Sequence, residues 1–356
     1  MLQSIPWDGS PISIAGCYSG VPLNDYHRAN ICVGPSVSST ALRKIYAYSP
    51  AHYWDESPIN PRRVLPDPTR AEAEWRIIGR AAHHLLVGAV GAFDREYIIQ
   101  PLKYPAASKD PAELREMVKL GWTEEYVNKK WNNNTTYCKN WGIAKRTAGI
   151  TIMTEDHVKT IEGMAISLGR DPLIGGGKGV LDGLIEQSIF WKDKETGLWL
   201  KSRPDVVPTD SCEPADFKTT QSVLWNMLQY ALDDLGYYQQ GALIGDGLKA
   251  VFNMDMTCFS LVWVEKKRPH CVRITPLYGE DLVRGQLRNR VAMRTFAECH
   301  QKFEECQKSG ADPAQYDLCW PGPAISRTGD ELASLQLSTA ARDRIDRRLR
   351  FEGMIV

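Results

Sequence analysis

The chain has 356 residues, with 43 basic and 43 acidic residues, so its formal net charge at pH 7 is zero. Hydrophobic residues make up 43% and charged residues 24%, which excludes a largely disordered chain. The zero net charge also excludes nucleic-acid binding through an overall basic composition, so any such surface must be local.

The cysteines and the apolar segments limit where the protein acts. The nine cysteines are widely spaced and include no Cys-x-x-Cys pair, so we expect reduced thiols without a disulfide framework or a zinc site. The first residues lack the basic and apolar pattern of a signal peptide. No apolar run reaches the roughly 18 residues of a membrane span. These features predict a cytoplasmic protein that does not bind membranes.

The N-terminal part of the chain alternates irregular and helical patterns. Residues 1–35 are rich in Pro, Gly and Ser and predict irregular structure. Residues 36–54 predict a helix capped by Ser38 or Ser39, and Ser49-Pro50 would end this helix or begin another. A proline-rich connector follows at residues 55–70.

Helical patterns dominate the next hundred residues. Helices are predicted within residues 72–90, 110–131 and 154–168. Thr154 would cap the last of these, with His157 in the place where a capping box has glutamate.

From residue 184 the pattern changes to the period of two that is typical of strands. Strands are predicted at residues 184–193, 197–207, 213–220, 258–267 and 270–278, with a hairpin turn at 194–197. Helices are predicted at 221–251 and 279–308, and a charged helix follows the loop at 320–323. Strands framed by helices predict a single α/β domain: an N-terminal segment (1–70), a core (about 72–308) and a C-terminal loop and helix (309–356).

Two acids and a lysine lie within the predicted strands. Asp205 would end one strand and Asp216 lies in the next, so their carboxylates would be close neighbours. Such a pair repels unless a cation lies between them, and Mg²⁺ is the natural cation for oxygen ligands. Lys218 would share the face of Asp216, where it could orient or deprotonate a water. This arrangement predicts phosphodiester hydrolysis.

A third acid strengthens this interpretation. Glu186 lies in the preceding strand and could complete a metal shell with Asp205 and Asp216. The simpler alternative for Asp216-Phe217-Lys218 is an ordinary surface ion pair on a strand, which the combination with Pro204-Asp205 and Glu186 disfavours.

In this order the motifs resemble the PD-(D/E)xK nuclease superfamily, in its RecB-like branch, and in particular RecE-type exonucleases (exodeoxyribonuclease VIII). The central motif is Pro204-Asp205, ten residues, then Asp216-Phe217-Lys218. The further segments that resemble the family are GRAAHHLL (79–86), GLIEQSIFWKDKETGLWLKSRPDVV (183–207), YHRANICVGPSVSSTALRKIYAYSPAHYW (26–54) and WPGP (320–323).

The resemblance implies a fold and a set of roles. The fold would be a central mixed β-sheet flanked by helices, with helical additions at both ends. Asp205 and Asp216 would be the main metal ligands, joined by the backbone carbonyl of Phe217, and Lys218 would be catalytic. Glu186 would support the metal from the first strand, and His83 would hold the metal or its water.

One family position departs from the pattern. The family's Gln-x-x-x-Tyr motif would place Gln240 beside the metal core, but the tyrosine position holds Ile244. Tyr237 or Tyr238 would compensate from one turn earlier.

The resemblance also implies a substrate. We expect a Mg²⁺-dependent exonuclease, with Mn²⁺ as a substitute, that degrades one strand of linear double-stranded DNA from its end, in the 5′-to-3′ direction. The product would serve a RecT-like annealing protein in phage-type recombination, and such enzymes form rings. Ser39, Arg43 and Arg203 are candidate DNA contacts, with Ser39 and Arg43 at a helix start that suits a terminal phosphate.

Two alternatives remain open. One is a nuclease of the same superfamily with a different substrate, such as a Cas4-like or restriction-type endonuclease, although no cysteine cluster supports Cas4. The other is a non-catalytic DNA-end-binding protein on a nuclease fold, which only Ile244 favours.

Overall fold

The computed structural model describes residues 3–65, 67, 69–87, 93–107, 115, 126–175, 179–209, 211–323, 327–328, 331–332 and 339–351. The α-helices are α1 Leu23–Tyr26, α2 Ser39–Ala47, α3 Pro50–Glu56, α4 Glu74–Leu86, α5 Phe93–Glu96, α6 Thr136–Thr147, α7 Glu155–Arg170, α8 Trp225–Asp234, α9 Tyr237–Phe252, α10 Glu280–Lys308 and α11 Thr339–Phe351. A 3₁₀ helix covers Pro313–Cys319.

Within the described residues, the β-strands form two five-stranded sheets and three two-stranded pairs. They are β1 Ile5–Pro6, β2 Gly16–Ser19, β3 Ser36–Ser38, β4 Tyr97–Ile99, β5 Lys103–Ala107, β6 Tyr126–Lys130, β7 Thr151–Met153, β8 Leu184–Ile185, β9 Ser188–Lys192, β10 Trp199–Ser202, β11 Val206–Val207, β12 Ala215–Thr220, β13 Phe259–Glu265, β14 Val272–Leu277, β15 Arg327–Thr328 and β16 Glu331–Leu332.

The sheet that carries the predicted chemistry is mixed, with the order β14-β13-β12-β11-β8. Strands β12 and β13 are parallel, with Asp216 opposite Leu261 and Lys218 opposite Trp263. The other neighbours are antiparallel, and β11 meets β12 only at Val206 and Ala215. The edge of β12 beyond Ala215 is therefore free of a β11 partner, and the candidate site lies there.

Both faces of this sheet are covered by helices, because successive residues along its strands present apolar side chains to opposite faces. Ala215 and Phe217 point to one face, in a core that includes Ile78, Ala81 and Met164 of the helices α4 and α7. Leu261 and Trp263 point to the other face, in a core that includes residues of α9 and α10. This αβα layering is the predicted α/β class, with a central mixed sheet flanked by helices.

The second sheet has the order β1-β2-β9-β10-β3 and shares a long hairpin with the first sheet. Both arms of this hairpin are interrupted where they pass from one sheet to the other. Strands β8 and β9 are one stretch of chain broken at Glu186 and Gln187, and β10 and β11 are broken at residues 203–205. The Glu186 backbone has φ +50°, a left-handed conformation that is unusual for a residue other than glycine, and its N–H donates to the Asp205 carbonyl at 2.9 Å. The interruptions lie side by side and turn the hairpin from one sheet into the other.

Helix α4 approaches strand β12 closely at a glycine. A Cβ atom built at Gly79 would lie 3.2 Å from the hydroxyl of Thr219. Four residues later, on the same helical face, His83 lies at the sheet edge. This packing gives the segment GRAAHHLL a structural reason for its spacing of glycine and histidine.

Most predicted elements are confirmed. Residues 1–35, predicted to be irregular, contain the strands β1 and β2 and the short helix α1, because both strands join the second sheet. The residues 126–130 form strand β6 where a helix was predicted, and most of residues 110–125 lie outside the described residues. Residues 36–54 begin as strand β3 and continue as two helices, with Ser49 capping the second. Ser38 occupies the N-cap of α2 without a side-chain hydrogen bond.

Two further differences concern helix and strand ends. Leu235 and Gly236 separate α8 from α9 within the predicted helix 221–251, because Gly236 adopts φ +61°. Asp205 lies in the interruption between β10 and β11, although it was predicted to end a strand. Thr154 and His157 form the predicted capping box.

WPGP (320–323) and the segment 26–54, which both resemble RecE-type sequences, pack against each other. Trp320 of WPGP is buried and stacks on Trp54 with ring centroids 5.2 Å apart, and the backbone N–H of Ala51 donates to the carbonyl of Pro321 at 3.0 Å.

None of the described helices combines the length and apolar character that crossing a membrane requires.

Candidate active site

The predicted site residues line or adjoin a cleft of about 980 Å³. Its walls come from the N-terminal segment 20–27, the start of α2, the end of α4, the two hairpin interruptions and the start of α9. Among the described residues that line it are His83, Glu186, Arg203, Asp205, Lys218, Gln240, Ser39 and Arg43. The fold thus brings residues distant in sequence to one surface.

Asp205 is the centre of the first cluster. Its Oδ1 lies 2.7 Å from Nε2 of His83, and its Oδ2 accepts a hydrogen bond of 2.6 Å from the backbone N–H of Phe217. His83 Nδ1 lies 3.4 Å from Oε1 of Glu186, whose Oε2 accepts from Arg203 at 2.7 Å. His83 therefore bridges the two acids that lie in the hairpin interruptions.

Asp216 is the centre of the second cluster, and only 1% of its surface is exposed. Its Oδ1 accepts a hydrogen bond from Nε2 of Gln240 at 3.1 Å. Its Oδ2 forms an ion pair with the ammonium of Lys218, although this oxygen has no well-directed hydrogen bond. Asp216 and Lys218 share one face of β12, as the alternation along a strand predicts.

The two buried carboxylates differ in proton affinity. Burial, reinforced by the negative charge of Asp205, raises the pKa of Asp216 to about 6. Burial acts the same way on Asp205, but the charge of His83 and its hydrogen bond outweigh it and hold the pKa of Asp205 below its ordinary value. The acid nearer the imidazole is therefore the one that ionises first.

The pKa values of His83 and Lys218 are both raised. Burial alone would lower the pKa of His83, but Asp205 and Glu186 raise it above the ordinary value of histidine. Burial would likewise lower the pKa of Lys218, but Asp216 and Asp205 raise it. The lysine is therefore a charged ammonium at neutral pH.

The Phe217 backbone has the orientation that the predicted carbonyl ligand requires. The N–H of Phe217 points at the Asp205 carboxylate instead of at a neighbouring strand. Because N–H and C=O of one residue point to the same side of a strand, the Phe217 carbonyl also faces the interruption.

The donor set fits a hard divalent cation, although it is not assembled as a ready-made shell. In the described ranges, no three His, Cys, Asp or Glu side chains already stand together as metal ligands. The oxygens that would bind a metal contact His83 and Lys218 instead. The poorly bonded buried Oδ2 of Asp216 and the Asp205 carboxylate are the donors that Mg²⁺ prefers. The assignment of Asp205, Asp216, Glu186, His83 and the Phe217 carbonyl as ligands stays a prediction.

The predicted DNA contacts lie on the same cleft in two places. Ser39 begins α2, and Arg43, one turn later, donates to the backbone carbonyls of Ser39 and Leu235. Arg203 donates to the Val21 carbonyl at 2.7 Å as well as to Glu186. Arg203 therefore anchors the N-terminal segment and orients an acid, which is a role that sequence reasoning did not assign to it.

The structure shows where the two residues of the Gln-x-x-x-Tyr pattern, Gln240 and Ile244, lie. Gln240 contacts Asp216 as the resemblance implies, while Ile244 is buried and only 1% exposed. Of the two candidate substitutes, Tyr237 lies beside Lys218, with Nζ 4.9 Å from its ring centroid. Tyr238 faces the other way and contacts Arg288.

We expect Mg²⁺ to bind the DNA-free protein more weakly as the pH falls through about 6. A proton must leave Asp216 before its carboxylate can hold the ion, and its pKa is about 6. Below that pH the affinity should fall about tenfold per pH unit for one linked proton. Isothermal titration calorimetry between pH 5 and 8, in buffers of different ionisation enthalpy, measures both the affinity and the protons released. Equal affinity at pH 5 and pH 8 would contradict the assignment.

Fold and site together define a class. A mixed sheet between helices, with Asp205 before one strand and Asp216-Phe217-Lys218 within the next, is the core of the PD-(D/E)xK nuclease superfamily. Residues 116–319 match the family described as PDDEXK-like domain of unknown function (DUF3799), which is more than half of the chain. The chain belongs to this family. The matched range includes Glu186, Asp205, Asp216, Lys218 and Gln240, whereas His83, Ser39 and Arg43 precede it.

Two other comparisons add little. No curated protein matches the chain. Among solved structures, the chain is similar to one described as a putative exonuclease from Eubacterium rectale, with 11% identity, a TM-score of 0.45, and coverage of 85% of this chain and 90% of that one. A likeness of this size carries no argument about function.

Proposed function

We propose that this nuclease-superfamily protein is a Mg²⁺-dependent exonuclease of RecE type that degrades one strand of linear double-stranded DNA from its end. The observation that carries the proposal is that Asp205 and Lys218, which is paired with the buried Asp216, line the same cleft as Ser39 and Arg43. Cleavage chemistry and a candidate contact for a strand terminus thus share one surface.

The residues have distinct tasks in this proposal. Asp205, Asp216 and the Phe217 carbonyl would hold a divalent metal, with His83 and Glu186 beside them. When bound, such an ion supplies a Lewis acid for the phosphoryl oxygen and lowers the pKa of its water. Gln240 orients Asp216, and Arg203 orients Glu186.

Lys218 acts through its positive charge. Because Asp216 and Asp205 raise its pKa, the side chain is an ammonium that donates hydrogen bonds. An ammonium there orients the attacking water and stabilises the negative charge that develops on the phosphate.

The cationic side chains of the cleft support a polyanionic ligand. Arg43, Lys44, Arg80, Arg95, Arg203 and Arg288 line it together with the catalytic residues and the acids Glu96, Asp233 and Asp234. Local cations of this kind allow DNA binding at zero net charge, and they make binding dependent on salt. A RecT-like annealing protein as partner, a ring assembly and a phage origin are parts of the same proposal.

The test compares DNA forms and variants. Wild-type protein is incubated with linear and with closed circular duplex DNA, in Mg²⁺ or in EDTA, beside the variant Asp216→Ala. Release of nucleotides from linear DNA alone, in Mg²⁺ alone and with wild type alone, supports the proposal. Cleavage of closed circles would instead indicate an endonuclease, and binding without any metal-dependent cleavage would indicate a DNA-end-binding protein.

A further inference from the structure

The surroundings of the Lys218 ammonium include a tyrosine that the family motif does not provide. Nζ of Lys218 lies 4.9 Å from the ring centroid of Tyr237. An ammonium over an aromatic face is attracted by the ring quadrupole, and the attraction grows when the site is shielded from water. Lys218 thus has two fixed partners, the carboxylate of Asp216 and this ring.

Tyr237 itself is held in place by the sheet. Its ring meets Trp263 edge to face, with centroids 5.5 Å apart and planes at 73°. Trp263 is only 2% exposed, and its indole N–H donates to the Thr275 hydroxyl at 2.7 Å. Because Trp263 is also the direct strand partner of Lys218, both side chains stand on one sheet face. Tyr237 therefore packs on Trp263, and Trp263 is the strand partner of the lysine that Tyr237 contacts.

The sequence position of Tyr237 makes this contact possible. Tyr237 begins α9, and Gln240 lies three residues later on the same helical face. Gln240 contacts Asp216 while Tyr237 contacts Lys218, so one helical turn positions both members of the ion pair. Ile244, in contrast, is fully within the core and offers no polar group.

We propose that Tyr237 is the positioning residue of Lys218, and that its aromatic ring, not its hydroxyl, performs this task. The proposal rests on the proposed nuclease function for its kinetic consequence, but the contact itself can be tested without cleavage. If the ring fixes the ammonium, its removal lowers the rate of the chemical step and also leaves the amine more accessible to reagents.

The experiment compares Tyr237→Phe and Tyr237→Leu with Trp141→Leu in the full chain. Trp141 is a matched control because Nζ of Lys145 lies 5.9 Å from its ring centroid and Trp131 meets it edge to face, while neither Trp141 nor Lys145 lines the cleft. We expect Tyr237→Leu to lower kcat about tenfold with little change in KM, and the other two variants to stay within about twofold of wild type.

A second readout does not depend on nuclease activity. Acetylation of Lys218 by an amine-reactive ester, followed by peptide mass spectrometry, should be several-fold faster in Tyr237→Leu and unchanged in Tyr237→Phe and Trp141→Leu. If wild-type protein cleaves no DNA, the proposed function fails while this measurement still tests the contact. Unchanged kcat and unchanged labelling in Tyr237→Leu would overturn the inference.

A shape-conserving change covers the case in which Tyr237→Leu does not fold. Pentafluorophenylalanine at position 237 keeps the ring but reverses its quadrupole, so it should impair kcat and raise labelling relative to Tyr237→Phe. Equal behaviour of these two aromatic variants would show that the ring acts only by packing, and would equally overturn the inference.

Discussion

The variant Asp216→Asn should lose DNA cleavage and gain stability at pH 8. The amide cannot supply the anionic oxygen that a divalent metal needs, and loss of several kcal/mol of transition-state stabilisation corresponds to about a thousandfold in rate. The expected gain in stability follows from the cost of ionising a buried acid that the neighbouring Asp205 repels.

The sign of the stability change follows from linkage. The folded-state pKa of Asp216 is about 6, above its ordinary 3.8, so the acid favours folding most at low pH and loses that contribution as the pH rises through 6. A pKa difference of this size corresponds to about 3 kcal/mol, so removing the charge should raise the free energy of unfolding by about 1 to 3 kcal/mol at pH 8. Urea denaturation of both proteins in EDTA measures it.

Asp193→Asn is the matched control with the opposite expectation. Burial raises the pKa of Asp193, but hydrogen bonds from Arg290 and Thr196 outweigh it and lower the pKa. Its neutralisation should therefore destabilise the fold at pH 8, and it removes no side chain of the catalytic cluster. If Asp216→Asn were less stable than wild type at pH 8, the carboxylate would not be the strained group that its surroundings indicate.

The variant Lys218→Met should lose cleavage by about two to three orders of magnitude, the cost typical of removing one donor from a developing charge. Unlike Asp216→Asn, it should also be less stable than wild type at pH 8. The pKa of Lys218 is raised in the fold, so its contribution is fully present below its ordinary value of 10.5 and is lost only as the pH rises beyond that value. Without the ammonium, Asp205 and Asp216 repel each other unscreened.

Lys266→Met is the control for the loss of a lysine near the same sheet. Burial lowers the pKa of Lys266, so its charge does not stabilise the fold, and it lies outside the catalytic cluster. We expect activity close to wild type and no loss of stability. Both Asp216→Asn and Lys218→Met should lose at least a hundredfold in activity, but their stability should change in opposite directions. This difference separates the effect of the charges on folding from their effect on catalysis. Destabilisation of both variants to a similar extent would argue for simple loss of packing.

The strand chemistry could be predicted from sequence because it depends on local spacing. Asp216 and Lys218 are two residues apart, and alternation along a strand places both on one face whatever the rest of the fold does. The helix that presents His83 was also recognisable, because Ile78, Ala81 and Ala82 follow helical periodicity.

Other parts of the site depend on long-range packing, which one sequence does not encode locally. The interruptions at Glu186 and Asp205 are invisible to a period-two pattern, since both segments read as continuous strands. The contact of Tyr237 with Lys218 requires the left-handed turn at Gly236 that restarts the helix at residue 237. The pairing of Lys218 with Trp263 brings the lysine close to Tyr237, which packs on Trp263. However, the register between two strands cannot be derived from their separate sequences.

The broken hairpin has a mechanical consequence. Because Glu186 and Asp205 lie where the chain passes from one sheet to the other, a small rotation between the sheets would change the spacing of both acids together. The tip of the hairpin is tied to α10 through the ion pair of Asp193 with Arg290, so this long helix restrains that rotation. The separation of Glu186 and Asp205 therefore depends on the angle between the two sheets, and a change in α10 that alters its ion pair with the hairpin would alter that separation.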